Sequence, residues 1–138
     1  MRNIHIKNNR GKDTAMTRFL LCSGAVSAAL SVALGAFAAH GLESRLTADM
    51  LAVFQTGVQY QFYHSLGLIL IGLIAVTRTP TSLTTAAGLV MLAGILLFSG
   101  SLYLLTTTGI RSLGMVTPFG GIAFILAWLL LAVGIWRH

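Results

Sequence analysis

The sequence predicts an all-α protein, an up-down bundle of four transmembrane helices, and three observations carry that prediction. Apolar residues make up 56% of the chain and charged residues only 9%, against about 25% charged in an average soluble domain. The apolar residues gather near 19–39, 57–76, 83–105 and 115–135, each close to the ~20 residues that a spanning helix needs. None of these segments contains Asp, Glu, Lys or Arg, and the charges punctuate the gaps: Glu43, Arg45 and Asp49, then Arg78, then Arg111, then Arg137. Helices are the economical solution, because lipid cannot satisfy an open strand edge. The alternating ten-residue segments of a membrane β-barrel are absent.

The 138 residues suffice for one domain, read here as residues 16–138. Residues 1–15 are polar and aperiodic, which predicts a disordered extension. Met16 stands directly before Thr17-Arg18-Phe19 and the first apolar run, so Met16 is the expected start of translation. The first helix has a basic flank and an Ala36-Phe37-Ala38 triplet like a signal-peptidase site. Its length exceeds the 7–15 residues usual for a signal core, which favours a retained span over a cleaved signal. Cys22 has no internal partner, so it is read as a small hydrophobe. The second-to-third connection, Thr77-Arg78-Thr79-Pro80, is tight, and Pro80 suits a turn or a helix start. Short links make consecutive helices antiparallel neighbours.

Small residues mark the helix contacts, since close backbone approach replaces the hydrophobic drive that lipid removes. The first helix carries Ser23, Ser27, Ser31, Gly35 and Ala39 at every fourth position; the third carries Ala86-Ala93-Gly100 and Ala87-Gly94-Ser101; the fourth carries Gly120 and Gly121. Two readings stand: internal packing of a tight bundle, or a seam for a homo-oligomer or another membrane-protein partner.

The formal charge of +6 is explained by topology better than by nucleic acid. Five basic residues, Arg2, Lys7, Arg10, Lys12 and Arg18, flank the first helix. With both termini cytoplasmic, basic residues divide seven inside to two outside, or three to two from Met16 onward. The expected partner is the lipid bilayer, with no nucleic acid.

Topology also collects the polar residues. Gly35–Gly41, Gln55–His64, Phe98–Tyr103 and Thr117–Gly121 close or open helices on one membrane side, the outer side by the charge rule. His40, Gln59, Tyr60, His64, Ser99 and Tyr103 form the candidate cluster. Tyr60 and His64 stand four apart, as do Ser99 and Tyr103, so each pair shares a helix face. His64, seven residues past the expected helix start, would lie about 10 Å below the surface. The plainer reading is a hydrogen-bonded plug that fixes register; the sharper one is a pocket for a small ligand, lipid headgroup or partner.

Specific chemistries fare less well. His40 and His64 as axial haem ligands would sit at different depths. A proton-coupled exporter places carboxylates in its spans, and none is present. There is no catalytic pair, metal-ligand spacing or Gly-rich phosphate loop. The chain is therefore read as no enzyme, with no metal and no cofactor: an accessory or structural membrane protein. The alternative is a small transporter or channel-like protein using the His64/Tyr103 region.

The ordered motifs Gly35-Ala-Phe-Ala-Ala-His-Gly41, Gln59-Tyr-Gln-Phe-Tyr-His64, Leu97-Phe-Ser-Gly-Ser-Leu-Tyr103 and Thr117-Pro-Phe-Gly-Gly121 resemble the family called domain of unknown function 423, whose relatives include the eukaryotic transmembrane protein 256. The resemblance covers roughly Met16 to Trp136. It implies a small multi-pass protein, in the inner membrane for bacterial members, and brings no established activity. The polar N-terminal extension departs from the family pattern, in keeping with Met16 as the start.

Overall fold

The computed structural model describes residues 2–78 and 80–137. Its main elements are α1 (Arg2–Phe37), α2 (Ala48–Thr77), α3 (Ser82–Thr108) and α4 (Thr117–Trp136). A π-helical turn, Ala38–Leu42, ends α1, and a 3₁₀ turn, Arg111–Met115, leads into α4. All four long helices are long and apolar enough to cross a bilayer.

Two ends depart from the hydropathy pattern. The backbone of α1 is helical from Arg2, through the segment whose composition suggests disorder; extending an existing helix avoids the costly nucleating turn. The second helix starts at Ala48, nine residues before the expected start at 57. The reason is local. Thr47 caps the helix by accepting from the Met50 N–H at 3.3 Å, and Asp49 lies in the first turn, where the helix dipole favours a carboxylate. Hydropathy reads only the apolar part of such a helix. At 30 residues, α2 is about 45 Å long, more than the ~30 Å hydrocarbon layer.

The remaining boundaries follow capping chemistry. Thr81 and Thr84 form a reciprocal capping box at the start of α3: the Thr84 N–H donates to Thr81 Oγ1 at 3.2 Å and the Thr81 N–H to Thr84 Oγ1 at 2.9 Å. Gly109 ends α3 in the left-handed region at φ 74°, donating its N–H to the Leu105 carbonyl. Pro118 occupies the first turn of α4, where its missing N–H costs little.

Helices pack in chain order: α1 on α2, α2 on α3, and α3 on α4. Among the described residues, α1 and α4 make no comparable contact. A hydrophobic core joins Leu20, Leu68, Ile71, Met91, Phe124 and Leu131 across all four helices. A smaller cluster packs Ala38 and Leu42 of the π-helical turn against Phe54 of α2.

The packing rows were only partly where the sequence put them. Ser27 and Ser31 are buried, Gly35 is half-buried and Ala39 is exposed. A strict every-fourth row advances about 40° per step around a helix of 3.6 residues per turn, so it drifts off the contact. The face of α1 that does stay buried runs Leu20, Gly24, Ser27 and Ser31, and continues to Ala38 in the π-helical turn. Gly94 makes room for Phe124, whose ring would lie 2.6 Å from a Cβ there, and a Cβ on Gly120 would collide with the backbone of Phe98. Gly100 has open space beside it, and Gly121 reaches only the rim of the Phe98 ring, 3.9 Å from a built Cβ. Within the bundle those two are therefore not close-approach positions. Cys22 is exposed on the outer face of α1, not packed as a core hydrophobe.

Candidate functional site

The four polar segments do meet at one end of the bundle, but their side chains sort into two separate layers. One layer is hydrogen-bonded and ties α1, α2 and α3 together. Its centre is Gln61, 6% exposed, whose Nε2 donates to the Ser27 carbonyl on α1 at 2.9 Å. The Tyr103 hydroxyl on α3 donates to Gln61 Oε1 at 2.7 Å. One amide side chain thus uses its donor toward one neighbouring helix and its acceptor toward the other. Ser65 adds a second tie, bonding Ser27 Oγ at 2.7 Å and the Gln61 carbonyl at 2.6 Å. Tyr103 is further held by Phe54, with ring centroids 4.7 Å apart.

The other layer is aromatic and joins α2, α3 and α4. His64, buried at 7% exposure, lies flat on Phe124, with centroids 3.4 Å apart and planes 11° from parallel. Trp128 stands 6.2 Å from the same imidazole. Tyr60 stacks on Phe98 at 4.6 Å and lies 5.9 Å from His64. His64 Nδ1 is 2.7 Å from the Tyr60 carbonyl, so the N–H belongs on Nδ1 and the lone pair on Nε2. A third polar tie, Ser101 with Thr117 at 2.8 Å, joins α3 to α4 above this layer.

The candidate cluster is therefore divided. Tyr60 and His64 belong to the aromatic layer and Tyr103 to the hydrogen-bonded one. Ser99 is 1% exposed, and its Oγ is the buried side-chain oxygen that has no partner among the described residues. His40 is exposed on the π-helical turn, and Gln59 is exposed at a groove between α1 and α2 alongside Phe62 and Tyr63. Neither joins the others. His64 is sixteen residues into α2, not seven, because the helix starts earlier. Its level in the bundle is that of Phe124, seven residues into α4.

Gln61 and Ser65 were missed, although the sequence carries a signal for them. The buried stripe of α2 runs Phe54, Gly57, Gln61, His64, Ser65, Leu68, Ile71 and Gly72, a helical period that includes residue 61 and skips 59. Among the described residues, no three His, Cys, Asp or Glu side chains come together as a metal site would require.

Comparison with known proteins adds a family. The model described as protein of unknown function (DUF423) matches residues 34–121. The chain is 50% identical over 110 residues to the UPF0382 membrane protein YwdK of Bacillus subtilis, a match covering 80% of this chain and 89% of that one. It is 46% identical over 114 residues to the UPF0382 membrane protein SSP2132 of Staphylococcus saprophyticus, covering 83% and 93%. A third relative, SH2409 of Staphylococcus haemolyticus, is 44% identical over 120 residues, covering 87% and 97%. No solved structure matches the chain.

Proposed function

From the premise that this chain belongs to the DUF423 family, a family of multi-pass membrane proteins, we propose that it acts as a non-catalytic structural or accessory protein of the bacterial plasma membrane. Both termini lie in the cytoplasm in this reading, and the two polar layers face the outer half of the bilayer. The observation that carries it is the Ser27–Ser65–Gln61–Tyr103 chain, which spends its polar groups on one another across three helices. A transport route through the His64/Tyr103 region would want those two groups free and adjacent. Here the Tyr103 hydroxyl is held by Gln61, and the imidazole lies against Phe124 in the other layer.

The test compares membrane abundance with phenotype. Tyr103→Phe and Gln61→Leu should lower the abundance of folded protein in the membrane. Normal abundance combined with a lost deletion-complementing phenotype would show instead that the layer is a working site. Cysteine-accessibility labelling at positions 43 and 111, set against position 78, tests the orientation; labelling of 78 from outside intact cells would reverse it.

A further inference from the structure

At the end of the bundle opposite the two polar layers, α1 and the α2–α3 turn border two adjoining open clefts. One, about 600 Å³, is bordered by Thr17, Arg18, Leu21, Val76, Thr77 and Arg78. The other, about 560 Å³, is bordered by Thr81, Ser82, Thr85 and Leu89 at the start of α3. Asp13 and Pro80 line both.

The chemistry of this cleft is graded along the membrane normal. Arg18 stands immediately before the apolar run of α1, and Arg78 two residues after Val76 at the end of α2. Both arginines therefore lie at the boundary between hydrocarbon and water, with Leu21, Ala75 and Val76 lining the side toward the middle of the bilayer. Among the described lining residues, two guanidinium groups against the Asp13 carboxylate leave a net positive charge. Among the described residues no ion pair joins either arginine to Asp13. The first turn of α3 opens at the same place, adding the positive end of a helix dipole.

We propose that this cleft binds an anionic phospholipid, its phosphate held between Arg18 and Arg78 and its glycerol and upper acyl carbons lying along Leu21 and Val76. Planar guanidinium forks match phosphate oxygens. The apolar side of the cleft is what favours a lipid over a soluble phosphate.

The test is lipid retention by the full-length protein in mild detergent, read by native mass spectrometry with phosphatidylglycerol and phosphatidylcholine in competition. Phosphatidylglycerol should be kept preferentially. Arg18→Gln and Arg78→Gln should each weaken its retention about fivefold, the equivalent of about 1 kcal/mol per basic residue near an anionic surface. Arg111→Gln, at the other end, should leave it unchanged. Asp13→Asn should strengthen retention, a gain that damaged folding would not produce. Equal retention of both lipids, or an Arg18→Gln/Arg78→Gln double variant that still prefers phosphatidylglycerol, would overturn the proposal. Displacement by glycerol phosphate at equal concentration would overturn the lipid assignment in favour of a soluble phosphate ester.

Discussion

Removing the Gln61 side-chain amide should loosen three helices at once. The Gln61→Leu variant keeps the side chain near its volume and deletes two interhelical hydrogen bonds, those to the Ser27 carbonyl at 2.9 Å and from Tyr103 at 2.7 Å. Interhelical polar bonds in membranes are worth roughly 0.6–2 kcal/mol each, so the loss of two should be about 1–4 kcal/mol. The Ser27 carbonyl keeps its place in the α1 ladder, which argues for the lower half of that range. Tyr103→Phe alone deletes one bond and should cost about 1 kcal/mol. The informative quantity is the coupling between them. In a double-mutant cycle, Tyr103→Phe should cost almost nothing once residue 61 is Leu, giving a coupling of about 1 kcal/mol. The assay is reversible unfolding by SDS in mixed micelles, followed by tryptophan fluorescence in a Trp136→Phe background, so that the signal comes from Trp128, 6.2 Å from His64 in the neighbouring layer. Gln59→Leu, an exposed position one turn-face away, serves as the control and should stay within about 0.5 kcal/mol. A coupling indistinguishable from zero, or a Gln59→Leu loss as large as that of Gln61→Leu, would refute the account of the layer.

Three further outcomes follow from geometry. A Gly120→Val variant should lose about 1–3 kcal/mol through overpacking against the Phe98 backbone, while Gly100→Ala, with open space beside it, should be close to neutral in the same unfolding assay. Replacing Gly109 by Ala places a Cβ at φ 74° and should cost about 1–2 kcal/mol, seen as a lower thermal midpoint in detergent. Against Phe124, a His64→Phe ring can keep the stacked contact and should stay within about 1 kcal/mol, whereas His64→Ala leaves a cavity and should cost about 3 kcal/mol. If both His64 variants unfold alike, the stacked ring is not what the position contributes.

The fold was legible because lipid makes a coarse demand. Charge-free runs bounded by charged gaps are enough to place four spans, and alternation then brings the polar ends together. The partners within that end were not legible from residue type alone. Gln59 and Gln61 look equivalent in composition, and only the α2 stripe through Phe54, Gly57, His64 and Leu68 separates the inward one from the outward one. His64 and Tyr103 looked like one cluster because both are polar and near the same end. Their separation depends on which neighbour each face meets, and that is set by crossing geometry rather than by sequence spacing. Gly120 and Gly121 illustrate the same limit: adjacent and identical in type, they point to different sides of α4, and only one meets a backbone. The early start of α2 was recoverable from Thr47 and Asp49, which announce a helix before its apolar part begins.

Packing in chain order has a consequence for biogenesis. Each helix leaving the ribosome finds its principal partner already in the bilayer, since α2 docks on α1, α3 on α2 and α4 on α3. The Gln61 tie draws only on α1, α2 and α3, so it can close before the last span is synthesised. The final helix then arrives at a groove whose aromatic lining, Tyr60, His64 and Phe98, is in place to receive Phe124. No late helix has to displace an earlier pairing, and a translation arrest after α3 would leave a three-helix unit with its buried amide already satisfied.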